Sequence, residues 1–218
     1  HIWVGMARET AHQLGTPVSA LMGWLDWLKM HPEKTEDIIP EIELDLKRLQ
    51  QISRRFSKMG SDPKMEKIDL SQNISRVLDY LTKRLPSLGK TVDLKNQIPV
   101  GTEIVANRSL LTWAIENIIR NSIDAIEGEK GMIMLTLIKE NQQVFIRIKD
   151  NGCGIPKKDW KNIFRPGFTS KKTGWGLGLS LSQRIIEDMH GGRLKVLDSV
   201  IGEGATFEIR FSENGDDE

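Results

Sequence analysis

Apolar residues near the start of the chain return at alternating steps of four and three: Ala7, Ala11, Leu14, Val18, Leu21, Leu25 and Leu28. That spacing keeps one stripe on one side of a helix, so it predicts a long helix with a heptad seam. His31-Pro32 ends it, because proline cannot continue a helix and biases the residue before it to extended geometry. A second seam follows in Ile39, Ile42, Leu46, Leu49, Ser53 and Phe56, and the row Ile38, Asp45, Ile52, Met59 widens its face. Two long helices about one short turn predict an antiparallel hairpin. A hairpin alone buries too little surface to stand as a domain, whereas two copies make a four-helix bundle. Homodimerisation is therefore the physical expectation.

Gly60-Ser61-Asp62-Pro63 breaks the pattern and reads as a linker. From Lys67 onward helical and strand periodicities alternate. Ser71 is expected to cap a helix running to about Arg84. Thr91–Leu94 and Glu103–Val105 read as strands. Asn107 or Ser109 opens a helix to about Ile126. Met132–Lys139 and Gln143–Lys149 read as a hairpin across Glu140-Asn141-Gln142. Leu177–Met189 reads as a helix ended by Gly191-Gly192. Arg193–Leu197 and Ala205–Phe211 complete the strands. This mixture predicts an α+β sandwich, an open mixed sheet covered by helices on one face. The expected domains are 1–61, helical and dimeric, and 67–212, with 213–218 a polar tail.

Composition narrows the partners. Across 218 residues, 31 Lys and Arg stand against 30 Asp and Glu, a net charge of +1. No basic excess argues for nucleic acid, so phosphate chemistry must come from local groups. A single cysteine, Cys153, excludes an intramolecular disulfide and a cysteine-rich zinc site. No stretch approaches the ~18–20 apolar residues of a membrane helix, so no membrane contact is expected within this segment. The chain opens on His1 rather than Met, and the expectation is an excised cytoplasmic piece of a larger protein, membrane-bound or not.

Four segments of the second half carry candidate chemistry. In Glu116–Ala125, Asn117 and Asn121 lie four apart and project from one helix face, where two amides can ligate a hard cation through oxygen and hydrogen-bond a phosphate. In Asp150-Asn151-Gly152-Cys153-Gly154, one carboxylate beside two glycines can meet a planar ligand edge-on, and an Asp accepting from an exocyclic amine suits adenine. Phe164–Lys172 leads into Thr173-Gly174-Trp175-Gly176-Leu177-Gly178, a glycine-rich turn opening a helix, which suits polyphosphate. Gly202-Glu203-Gly204-Ala205-Thr206-Phe207 enters the last strand. Taken singly, each is also an ordinary polar face or turn.

In this order the segments resemble the Bergerat ATP-binding fold of sensor histidine kinases, type II topoisomerases, mismatch-repair ATPases and heat-shock chaperone ATPases. The resemblance covers about residues 67–211. It implies ATP and Mg²⁺ as cofactors, with Asn121 the metal ligand and Asn117 its phosphate-side partner. It implies Asp150 as the adenine-reading carboxylate, with Gly152 and Gly154 shaping the pocket. Gly174, Gly176 and Gly178 would lie along the triphosphate at the hinge of a lid, Lys171 would reach the phosphates, and Thr206 would support Asp150.

The first half selects the branch. Ala11-His12-Gln13-Leu14-Gly15-Thr16-Pro17 resembles the phosphoacceptor box of sensor histidine kinases. That resemblance implies autophosphorylation of His12, transfer to an aspartate of a response regulator receiver domain, and a role for Thr16 in the reverse dephosphorylation. The family's acidic neighbour is here Gln13, which can hold the Nδ1 proton but cannot act as a carboxylate base; Glu9 is a second candidate for that place. Gly15 replaces the usual basic residue of the box. Asn121–Ala125 resembles the NSxDA of mismatch-repair ATPases, but Asn117 stands where those enzymes place a water-activating Glu. The alternatives are an ATPase of the same fold and a nucleotide-binding dimeric scaffold without catalysis.

Overall fold

The structure, a computed structural model, describes residues 2–59, 64–86, 89, 91–128, 130–168 and 178–212, with the side chains of 2–13, 16, 48, 51, 52 and 54–59 outside that description. The chain divides into two compact units, His1–Pro63 and Lys64–Glu218.

The first unit is α1 (Ile2–Met30), a single 3-10 turn at Pro32–Lys34, and α2 (Thr35–Met59). Thr35 Oγ1 donates to Pro32 O at 2.6 Å and tightens the turn. Trp27 and His31 pack at a tilt of 41° with ring centres 4.6 Å apart at the end of α1. The two helices are pinned by Trp24 Nε1, which donates to Asp45 Oδ2 at 3.1 Å. Asp45 and Ile38 are buried within one chain, so the second row of α2 faces α1. The residues of the main seams behave differently: Val18 and Leu25 on α1 and Ile39 and Leu46 on α2 stay exposed, Leu25 at 55%. Leu14, Leu21, Leu28, Ile42 and Leu49 of the same seams are half-buried, so one copy covers its second row and leaves the main seams only partly covered.

The second unit begins with a strand that the sequence pattern did not reveal. β1 (Glu66–Asp69) pairs antiparallel with β3 (Glu103–Ala106) in a two-stranded sheet. Asp69, not Ser71, caps the following helix α3 (Leu70–Thr82): its carboxylate accepts from Gln72 N at 2.9 Å. Ser71 lies inside the first turn, and its hydroxyl donates to Ile98 O at 3.1 Å instead. Both residues are good caps, and the strand ending at Asp69 decides between them.

The main sheet has the order β2-β4-β5-β7-β6, from β2 (Val92–Asn96), β4 (Gly131–Glu140), β5 (Gln143–Asp150), β6 (Arg193–Val200) and β7 (Gly204–Ser212). β2 runs parallel to β4 and the remaining pairs are antiparallel, so the sheet is mixed. Ile133, Leu135, Ile146, Ile148, Phe207 and Ile209 are buried at alternate positions of the three central strands. Their inward face meets α3, α4 (Arg108–Ala125) and α5 (Gly178–Arg184), which contribute Ile74, Ile115, Ile118, Ile119 and Leu181. On the outward face Glu208 is held by Arg147 at 3.0 Å and Lys195 at 3.2 Å. The helix expected over Leu177–Met189 is α helical from Gly178 and widens to a π turn at Ile185–Met189.

Three chain segments converge at the end of β5. Cys153 N donates to Ala125 O at 2.8 Å, and Gly202 N donates to Cys153 O at 2.8 Å. A Cβ on Gly152 would lie 2.7 Å from Ala125 O, and one on Gly204, at φ +120°, would collide with Asp150 O. The backbones approach too closely there for any side chain. Gly204→Ala is expected to lose about 2–4 kcal/mol of stability, whereas Gly101→Ala, also at positive φ but with open space around it, should lose only about 1. Urea denaturation of the two variants measures this; equal losses would contradict the close-approach account.

Candidate nucleotide-binding site

Asp150 closes β5 at the edge of the helix layer and is almost fully buried, at 3% exposure. Burial raises its pKa above the ordinary carboxylate range, and neighbouring hydrogen-bond donors oppose that rise. Gly152 N donates to Oδ1 at 2.9 Å and Ala205 N donates to the same oxygen at 3.2 Å. Oδ1 is therefore committed to the protein, and among the described residues no backbone group donates to Oδ2. Ser122 on α4 is wholly buried beside this carboxylate. Its hydroxyl dipole favours the anion, although Oγ has no partner at full hydrogen-bonding distance. A carboxylate with one oxygen fixed and one free is arranged to accept from an incoming donor.

Asn117 and Asn121 are both half-buried on α4, three to four turns beyond its N-cap Asn107. Asn117 Nδ2 reaches Gly178 O at 3.4 Å, which places the amide against the start of α5. Ser182 Oγ donates to Ala114 O at 3.1 Å and couples the same two helices. Among the described residues no group of three or more His, Cys, Asp or Glu gathers as a metal site. The donors at hand are neutral amide oxygens, which fit a hard cation that brings phosphate oxygens and water as its other ligands.

Gly152 and Gly154 lie in the junction against Ala125 and Val200. The structure corrects one expectation: Thr206 does not support Asp150. Thr206 pairs with Lys149 and Asp198, and strand alternation sends its side chain to the outward face. The contact comes from the backbone of Ala205, one residue earlier. Lys171, Gly174 and Gly176 lie outside the described residues. The backbones of Glu9, His12, Gln13 and Thr16 belong to α1, with side chains outside the description. Sequence reasoning missed Ser122 and Ala205. Ser122 was signalled only by its place beside Asn121, and a backbone donor such as Ala205 N leaves no mark in sequence.

Residues 106–215, half of the chain, match the family described as histidine kinase-, DNA gyrase B-, and HSP90-like ATPase. The chain belongs to this family. It is 32% identical to the signal transduction histidine-protein kinase AtoS of Escherichia coli K12 over 91% of its own length and 33% of the relative's. It is 30% identical to the adaptive-response sensory-kinase SasA of Prochlorococcus marinus subsp. pastoris, covering 94% of this chain and 57% of that one. The chain thus spans roughly a third to just over half of these curated histidine kinases. Among solved structures, the catalytic domain of histidine kinase ThkA superposes with a TM-score of 0.60 at 26% identity, over 69% of this chain and 99% of that one. ThkA in complex with the response regulator protein TrrA aligns with 96% of this chain and 61% of that one at a TM-score of 0.68 and 24% identity, a likeness of fold. The second unit therefore has the Bergerat ATP-binding architecture.

The geometry of Asp150 has a measurable consequence. Its carboxyl titrates at 3.8 when unfolded and higher when folded, so the native state holds the proton more tightly. Stability then falls as pH rises from about 3.8 through the native value, and burying the anion costs stability at neutral pH. Asn keeps an acceptor for both backbone donors and removes the charge. Asp150→Asn is expected to be at least as stable as wild type at pH ~7, its advantage shrinking as pH is lowered toward ~3. Urea denaturation across that range tests this; an Asn variant less stable at neutral pH would contradict it.

Proposed function

We propose that the chain is the ATP-dependent kinase core of a two-component sensor, autophosphorylating on His12 and passing the phosphoryl group to an aspartate of a response regulator. The observation that carries this reading is the buried Asp150 with Oδ2 left for a ligand donor, beside the helix bearing Asn117 and Asn121. Asp150 would accept from the adenine amine, in the space that Gly152 and Gly154 leave. Asn121 would hold Mg²⁺ and Asn117 would face the phosphates. The metal, when bound, offsets the negative charge of the triphosphate. Gly174, Gly176 and Gly178 would let backbone approach the triphosphate, and Lys171 would add a cation there.

Neutral His12 would attack the γ-phosphorus through Nε2. The Nε2–P bond forms as the bond from phosphorus to the β,γ-bridging oxygen breaks, and ADP leaves with that electron pair. The Nδ1 proton stays on the ring, held by Gln13 or Glu9, so little proton removal is needed in the transition state. Catalysis is then mainly positioning and charge balance. Thr16, one helical turn beyond His12, would orient water when the partner is dephosphorylated. The fold shared with ThkA, solved with its response regulator, supports a receiver-domain partner. No helix among the described residues is long and apolar enough to cross a membrane. An ATPase or a scaffold of the same fold would yield free phosphate or bound nucleotide without labelled protein.

Incubation with γ-labelled ATP is expected to give an acid-labile, alkali-stable label on wild type. His12→Gln should lose that label and bind ATP within about twofold of wild type, since the triphosphate is held by the other unit. Asp150→Asn should lose ATP affinity about tenfold to a hundredfold, the worth of a desolvated charge-assisted hydrogen bond. A labelled His12→Gln protein would overturn the phosphoacceptor assignment.

The exposed seam of Val18, Leu25, Ile39 and Leu46 supports a homodimer through the helical unit, closing a four-helix bundle. Light scattering of the full chain at micromolar concentration should report a dimer, and Leu25→Glu should shift it to monomer. A monomeric wild type would contradict the bundle.

A further inference from the structure

His190 takes no part in the chemistry above, yet it is the most constrained histidine among the described residues. Asn107 N donates to its Nε2 at 3.0 Å, and its Nδ1 lies 2.8 Å from Ile185 O. An amide N–H can only donate, so Nε2 is the acceptor and Nδ1 carries the hydrogen. Burial holds the imidazole pKa below its ordinary value and keeps the ring neutral, as this pairing requires. The ring also packs edge-on against Phe211, with centres 5.9 Å apart.

Both partners occupy functional junctions. Asn107 is the N-cap of α4, its side chain accepting from Leu110 N at 3.0 Å and donating to Lys64 O at 3.2 Å. Ile185 opens the π turn that continues α5. The two helices run antiparallel and are latched at three levels: Asn107 to His190, Ala114 to Ser182 and Asn117 to Gly178. The last latch joins an amide of the candidate site to the first described residue beyond Gly174 and Gly176. An extra residue in a helical turn, as a π turn supplies, shifts everything after it around and along the axis. His190 stands just past that shift.

We propose that His190 is a positioning residue for the nucleotide site. By bonding the α4 cap and the α5 π turn at once, it sets the axial register of α5 on α4 and so the placement of Gly178 against Asn117. The inference rests on the reading of Asn117 and Asn121 as the phosphate and metal side of the site.

The test uses the full chain. His190→Phe keeps an aromatic ring beside Phe211 but removes the acceptor, and His190→Gln returns an acceptor near the position of Nε2. For His190→Phe the KM for Mg-ATP in autophosphorylation should rise about tenfold, while affinity for adenosine, which lacks phosphate, stays within about twofold. His190→Gln should recover most of the lost KM. A folded His190→Phe protein with unchanged KM overturns the inference, as does a His190→Gln protein equally impaired, which would assign the effect to ring packing. Should His190→Phe fail to fold, ¹⁵N spectra of wild type decide: the expected neutral ring carries its proton on Nδ1, and a proton on Nε2 overturns the proposal. Asn121→Ala separates the two readings. If it leaves Mg-ATP binding intact, the metal-side assignment fails; if it weakens binding and His190→Phe does not, only the role of His190 fails.

Discussion

A carboxylate buried with no cation beside it among the described residues is the constraint around which the second unit is arranged. Asp150 is tolerated in the core because two backbone amides, Gly152 N and Ala205 N, converge on one of its oxygens. Supplying them requires two segments to meet, the turn after β5 and the entry to β7, and the end of α4 packs against that turn through Ala125 O. Those backbones come within distances that no Cβ would survive, so Gly152 and Gly204 follow from Asp150 rather than from any local turn preference. Burial raises the Asp150 pKa, so ionising this carboxylate works against stability even with both amides in place.

The same economy shapes the helix layer. α4 brings Ser122 to the carboxylate and also carries Asn117 and Asn121, so on the proposed reading one rigid element would serve both ends of the nucleotide. Its position is not left to apolar packing alone, which is non-directional. Hydrogen bonds at Asn107, Ala114 and Asn117 fix it along α5, and Asn107 also holds the chain where the second unit begins, at Lys64. Directional bonds define register where a slip of one residue would separate Asn117 from Gly178.

Much of this was legible in the sequence because it rests on residue types at fixed spacing. The mixed α+β architecture followed from period two against period three and four, and the ordered motifs singled out Asp150, Gly152, Gly154, Asn117 and Asn121 as candidates for one site. What escaped was set by backbone and register. Strand β1 is four residues long with alternating charge, and pairing with β3 rather than propensity makes it a strand. Ser71 and Asp69 are equal as caps until that strand ends. Thr206 was read one residue off, because only pairing of β7 with β5 shows that Ala205 faces Asp150. In the helical unit the seam was legible, but not which row each chain uses for itself; the half-buried Trp24–Asp45 pair assigns Ile38 and Asp45 to the hairpin and leaves Val18, Leu25, Ile39 and Leu46 of the main seams exposed.

The central claim is that Asp150 Oδ2 reads an exocyclic amine. Comparing Mg-ATP with Mg-ITP on the wild-type full chain tests it without altering the protein, since hypoxanthine replaces that amine by a carbonyl oxygen. Titration calorimetry should show ATP bound about tenfold to a hundredfold more tightly than ITP, the cost of setting an acceptor against a buried acceptor. Equal affinities would mean that the base is held elsewhere, and the account of the site would fail with them.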